Sequence, residues 1–382
     1  MHILIAPDKF KDALDAPGVA AAMAAGVRDA IPGAEVTCCP LGDGGEGTGR
    51  LLAAARGMQP QAVGVLDPLG RPRQATWWLD TAGDAGIVEM AEASGLWLLA
   101  PQERDAIRTS SFGTGQLLRA AIGAGARALT LCVGGSATVD GGAGCLQALG
   151  WRILWRGEEV PLACGGALDR VVAIEPPADV DVLRGVRLTI LCDVNNPLLG
   201  PCGAAAVFAP QKGATPAQVA TLQANLCHWA DVLERATGVA VRDLPGAGAA
   251  GGLPAGLAAA TGARLVGGFD EVARQVRLRE HIRGADLVLT GEGCLDPQTA
   301  GGKVVAGVAA LAARESSRPV LALVGAWRGA AHATRREAAA RLGLREIIVI
   351  TPPGTPLEVA LAQTECHLRV AARRAVRRYA LS

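Results

Sequence analysis

The chain has 382 residues, enough for two domains of ordinary size and a real buried core. Its 37 basic and 36 acidic side chains leave a net charge of +1, with no long run of either sign, which argues against the basic face or tail of a nucleic-acid binder. The longest uncharged stretches, residues 194–211 and 244–263, are filled with Gly, Pro and Asn and are not membrane-spanning helices, and MHILIAPDKF lacks the basic start and cleavage site of a signal peptide. A cytoplasmic protein that contacts neither membrane nor nucleic acid is expected. Ten cysteines without a C-x-x-C pair read as reduced thiols.

In chain order, HILIAP reads as a buried strand, residues 17–31 as an Ala-rich helix, EVTCCPL as a second strand, and a second helix begins near Glu46. Between Gln61 and Met90 the texture changes to short apolar runs separated by DPLGRPR and TAGDAG, the pattern of an antiparallel meander. Alternation then resumes with a helix over 115–124, the strand ALTLCVGG, a helix over 143–149, the strand RLTILCDV and a long amphipathic helix over 216–237. The last hundred residues give three further strands, DLVLTGE, VLALVGA and EIIVIT, each followed or preceded by a helix, and an Arg-rich terminal helix. Short, nearly continuous apolar strands joined by helices imply parallel sheets covered on both faces. Both chain ends have this character and the middle departs from it. We therefore expect an α/β protein whose first domain is discontinuous, residues 1–65 plus 280–382, with a second α/β domain, 66–279, inserted.

Aromatic residues are few, seven Trp, four Phe and one Tyr, so the core must be built from Ala, Val and Leu. Two other biases carry chemistry. Fifty residues are Gly, and only four of the 37 basic residues are Lys: Lys9, Lys11, Lys212 and Lys303, in APDKFKD, APQKGA and AGGKVV. An ammonium is a compact point charge where Arg is a planar fork, so lysines kept at these places point to contacts with anionic oxygens. Nearly every strand also ends in a polar or glycine-rich motif: IAPDKFKD, PLGDGGEGT, VGGSATVDGGAG, CDVNNP and LTGEGCLDPQTAGGK. Open parallel sheets bind ligands at the carboxyl ends of their strands, and glycines there let backbone N–H groups approach phosphate oxygens. Carboxylates among those glycines, Asp43, Glu46, Asp140, Asp193, Glu292 and Asp296, would repel phosphate unless a cation lies between, so ATP with Mg²⁺ is the expected pair. Each acidic turn taken singly also reads as a helix cap.

The chain has no Walker A motif, protein-kinase signature or G-x-S-x-G elbow. One G-x-G-x-x-G string, Gly246, Gly248 and Gly251 with Asp270 beyond, keeps a nicotinamide-dependent oxidoreductase of a small hydroxy acid in view. A non-catalytic sugar-acid sensor is the other alternative.

The blocks APDKFKDAL, PLGDGGEGT, EMAEASGL, TSSFGTGQLL, GGSATVDGGAGCLQALG, CDVNNPLLGPCGAAAVFAPQKGA, PGAGAAGGLPAGL and ADLVLTGEGCLDPQTAGGK, in this order over residues 3–325, resemble those of the bacterial glycerate kinases of the glyoxylate and glucarate pathways. The resemblance implies ATP- and Mg²⁺-dependent phosphorylation of D-glycerate at the 2-hydroxyl, in a flavodoxin-like parallel-sheet domain with a second α/β domain inserted. Cys294 stands where these kinases commonly have a basic residue after GEG, Gly42 where they have Ala and Val139 where they often have Asn.

Chemistry then distributes the roles. Asp193, beside two amides at a strand end, is the expected base, with Lys9 and Lys11 as catalytic cations. Gly134, Gly135, Ser136, Lys212, Gly291, Glu292 and Lys303 are expected on the nucleotide; Asp8, Asn195 and Asn196 on glycerate; and Asp43, Glu46, Glu292 and Asp296 on the metal. The expected partner is the small-molecule substrate D-glycerate, with a homo-oligomer left open.

Overall fold

The apolar run of HILI, too short for a stable helix and free of polar interruption, forms the first of thirteen strands in the computed structural model, which describes residues 1–157, 160–178, 180–296, 304–316, 318–329 and 334–380. These strands are β1 (His2–Ile5), β2 (Glu35–Cys38), β3 (Gln59–Leu66), β4 (Pro72–Leu79), β5 (Ala85–Glu89), β6 (Ala128–Cys132), β7 (Arg152–Trp155), β8 (Val171–Glu175), β9 (Arg187–Leu191), β10 (Arg264–Val266), β11 (Leu287–Leu295), β12 (Val320–Trp327) and β13 (Glu346–Val349). The chain divides into two compact units, Met1–Asp43 with Gly267–Ser382, and Gly44–Val266.

In the first unit five strands pair in parallel in the order β13-β12-β11-β1-β2. Counted along this unit alone the order is 2-1-3-4-5, that of flavodoxin-like sheets, and its topological switch point lies between β1 and β11. Successive residues of a strand face opposite ways. Ile3, Ile5, Leu287, Leu289, Leu321 and Leu323 accordingly join one core with helices Ala16–Ala30 and Thr364–Ala380. Leu4, Val288 and Ala322 lie between them in sequence and turn to the other face, and helix Val304–Glu315 contacts β11 and β12.

The second unit holds a six-stranded sheet, β10-β9-β6-β5-β4-β3, and a separate β7–β8 hairpin. The expected meander is present, since β3 pairs antiparallel with β4 and β4 with β5, but it is no separate architecture. β5 pairs parallel with β6, so the hairpin extends the edge of the parallel sheet. That pairing also carries β3 and the helix Thr48–Ala55 into the second unit, although the helix and all of β3 except Leu66 fall within residues 1–65. No helix among the described residues is long and apolar enough to cross a membrane.

Candidate active site

In the second unit four loops meet at the carboxyl ends of β6 and β9. The turn from Gly44 to Gly47 leads into helix Thr48–Ala55. It lies against Leu191 at the end of β9 and accepts a bond from Gly134 N–H at Gly44 O (3.3 Å). Gly134 follows β6, and only glycine fits there, because a Cβ would fall on the backbone of Gly45. The loop at 244–252 closes the other side: Gly248 N–H donates to Asn196 O (3.0 Å) and Gly141 N–H to Gly251 O (2.9 Å). Gly251 has φ +70° and leaves no space for a Cβ above Thr138 O. The glycines of the G-x-G-x-x-G string thus serve close packing of loop on loop. No strand leads into them, and Asp270 belongs to the other unit, within helix Gly268–Gln275.

Buried polar side chains hold the loop Gly134–Gly142 in shape. Asp140, fully buried, accepts from Ser111 N–H (2.7 Å), Ser111 Oγ (2.7 Å), Gly142 N–H (3.2 Å) and Gly144 N–H (3.3 Å). Burial pushes its carboxyl above the usual range, and the donors from Ser111, Gly142 and Gly144 oppose that. Asp140 therefore ties Ser111 to the start of helix Ala143–Ala148. Thr109 Oγ1 donates to Ala137 O (2.9 Å). Lys212, 1% exposed, donates from Nζ to Ser136 Oγ (2.8 Å) and Thr138 O (2.7 Å). Desolvation brings its ammonium down to about 7, and the charge of Asp140 acts against this.

Glu89, which sequence reasoning did not single out, ends β5 and is also buried. Its Oε1 accepts from Gly49 N–H (2.5 Å), at the first turn of helix Thr48–Ala55. The signal was available, since GIVE runs an apolar strand straight into a carboxylate. Of the expected residues, Glu46 is exposed on its turn, with Oε2 3.4 Å from where a Cβ of Gly135 would sit. Asp193 is half-buried just beyond β9, next to Cys192, whose thiol donates to Val194 O (3.2 Å) and is pushed up by burial. Asn195 is exposed. Asn196 spends its amide N–H on Cys202 O (2.7 Å), inside its own loop.

The first unit gathers a second set at its switch point. Asp8 N–H donates to Gly291 O (2.9 Å), Thr290 Oγ1 to Ala6 O (2.8 Å) and Leu41 N–H to Pro7 O (2.8 Å). The segment Asp8–Lys11, the end of the PLGD turn at Asp43, and Gly291–Asp296 therefore share one edge of this sheet. Asp8 is buried and accepts from Lys9 N–H at Oδ1 (2.7 Å); Lys9 is half-buried and Lys11 exposed. Gly291 and the buried Glu292 stand inside β11, not after it, because β12 continues to pair with β11 through Leu295. Asp296 is the first residue beyond that strand. Lys303 lies outside the described residues.

Residues 3–380 match the glycerate kinase family. The chain belongs to that family. It is 41% identical over 374 residues to a glycerate kinase of Bacillus subtilis strain 168, covering 98% of this chain and 96% of the relative. It is 42% identical over 326 residues to a glycerate 2-kinase of Escherichia coli K12, covering 85% of each. In three dimensions it is similar to the crystal structure of a protein designated glycerate kinase 2 from Salmonella typhimurium LT2, with TM-score 0.83 and 38% identity, covering 100% of this chain and 98% of that one. As a member of the glycerate kinase family the chain is an enzyme, and kinase chemistry implies ATP.

No group of three His, Cys, Asp or Glu side chains stands ready for a metal among the described residues. Mg²⁺ in phosphoryl transfer needs no such cage, because one or two carboxylates and the phosphate oxygens hold it. Gly135, with Glu46 Oε2 beside it, fits that mode.

Proposed function

We propose that this member of the glycerate kinase family transfers the γ-phosphoryl group of ATP to the 2-hydroxyl of D-glycerate, giving 2-phosphoglycerate and ADP. The observation that carries the reading is the loop after β6. The N–H groups of Gly135 and Ser136 have no acceptor among the described residues, and Gly135 has φ +72°, a left-handed conformation of the kind that takes part in anion-binding backbone turns. A loop of this kind at the carboxyl end of a parallel strand is suited to phosphate oxygens.

The roles are assigned unit by unit. In the second unit Gly134, Gly135 and Ser136 take the phosphates and Glu46 faces the metal. Asp193 removes the proton of the attacking hydroxyl, and Asn195 with the remaining amide oxygen of Asn196 orients the polyol. In the first unit Lys9 and Lys11 neutralise anionic groups, Asp8 and Gly291 shape that edge, and Asp43, Glu292 and Asp296 offer oxygens to a cation. Lys303 retains its place as a phosphate contact. Mg²⁺, when bound, neutralises the charge of the phosphates; the proton and the hydroxyl are handled by the side chains.

An assay coupled to ADP release, run with D-glycerate, L-glycerate, glycolate and tartronate, tests the reading, and phosphorus NMR of the product reads the position. Turnover with D-glycerate to 2-phosphoglycerate is expected. Absence of ADP release from all four acids would sink it. Asp193→Asn keeps size and turn-forming ability and removes the proton acceptor, so kcat should fall by about 10² to 10⁴ with little change in Tm. Near-normal kcat in that variant would reassign Asp193 to the turn before Pro197.

A further inference from the structure

Lysine in a phosphate-handling loop is ordinarily read as a ligand of the phosphate. Lys212 does not have that geometry. Its side chain is among the largest that are fully buried, and its ammonium already has two acceptors inside the protein, Ser136 Oγ at 2.8 Å and Thr138 O at 2.7 Å. Both belong to the loop whose N–H groups at Gly135 and Ser136 have no acceptor among the described residues.

Its root is equally constrained. Lys212 closes the 3₁₀ turn Pro210–Lys212, donates its own N–H to Ala209 O (2.9 Å), and is followed by Gly213, which packs against the backbone of Arg104. The segment beginning at Arg104 runs on to Thr109 and Ser111, which hold the same loop at Ala137 O and Asp140. Across the loop, Leu96 N–H donates to Gly135 O (2.7 Å) and Ala137 N–H to Ser94 O (2.9 Å). Lys212 is the one charged donor in this set. Desolvating an ammonium is costly unless its acceptors are well placed, and here they are two oxygens two residues apart on one turn.

We infer that Lys212 is a positioning residue: a hydrogen-bonding strut beneath the glycine-rich loop that fixes Ser136 and Thr138, so that the N–H groups of Gly135 and Ser136 are preorganised for the phosphates of ATP. Preorganised donors require no rearrangement when the anion arrives. The strut acts through the loop without touching nucleotide, and it has no part in binding glycerate. This inference rests on the ATP-dependent reading above.

Steady-state kinetics on the purified full chain test it, with Lys212→Met, Ser136→Ala and the double variant, each accompanied by a thermal melt. Lys212→Met is expected to raise KM for ATP about tenfold or more with KM for D-glycerate unchanged. Ser136→Ala should raise KM for ATP in the same direction, and the double variant should be no worse than Lys212→Met alone, because both remove one link. If Lys212→Met does not fold, Ser136→Ala decides by the same split between the two KM values. A lowered Tm with both KM values at their wild-type level would overturn the inference, as would additive losses in the double variant. Wild-type chain that releases no ADP from D-glycerate would instead overturn the proposed function, so the two failures are distinguishable.

Discussion

A buried charge makes stability depend on pH, and Lys212 does so with a definite sign. Its folded value of about 7 lies below the ordinary 10.5 of an exposed lysine, so between these limits the unfolded chain holds one more proton than the folded chain. Stability contributed by this group is therefore present above the unfolded value and lost as pH falls through the folded one. Between pH 7 and 9 the slope from this lysine approaches about 1.4 kcal/mol per pH unit, rising with pH. Urea unfolding at several pH values should show that rise in the wild type and a flatter profile in Lys212→Met; equal slopes would mean that the amine is not desolvated. Asp140 gives a second test. Replacing it by Ala leaves the N–H groups of Ser111, Gly142 and Gly144 and the Ser111 hydroxyl without their acceptor, and a loss of about 3 kcal/mol or more is expected in urea unfolding. A loss below about 1 kcal/mol would show that water replaces the carboxylate.

At the scale of elements, helix Pro216–Thr237 supports the same loop from behind. It starts with a capping box, Thr215 Oγ1 accepting from Gln218 N–H and Gln218 Oε1 from Thr215 N–H. At its centre the fully buried Trp229 donates from Nε1 to Gly141 O (3.0 Å). Trp229→Ala removes a large core volume and this bond together, and about 3 to 5 kcal/mol of stability should be lost, measured by urea unfolding. The helix was legible in the sequence, because its periodicity is local; the cap was not singled out there, although the Thr-Pro-x-Gln spacing is equally local. The extent of β11 was not. Glycines in LTGEGCL read as the end of a strand, yet pairing with β12 carries the strand on to Leu295, since the partner supplies the ladder that glycine's own propensity does not favour. The β7–β8 hairpin and the short β10 were likewise missed, for neither has a run long enough to stand out from its loops.

For the whole molecule, two units each with a sheet and its own core imply that the fold does not rest on a metal. Excess EDTA should abolish turnover, because phosphate charge is then unneutralised, while the far-UV circular dichroism and Tm stay as they were. Retained turnover in EDTA would remove Mg²⁺ from the mechanism; a collapse of the fold would make the metal structural. The sequence by itself determined the alternation of strand and helix, the α/β class, the family blocks and the placing of glycine-rich turns at strand ends, since these depend on residues near one another along the chain. Which carboxylates and lysines face inward was decided by tertiary structure. Lys212 and Ser136 are 76 positions apart and Glu89 and Gly49 are 40 apart, and the desolvation that changes an ammonium from a surface charge into an internal strut arises only when such distant segments close over it.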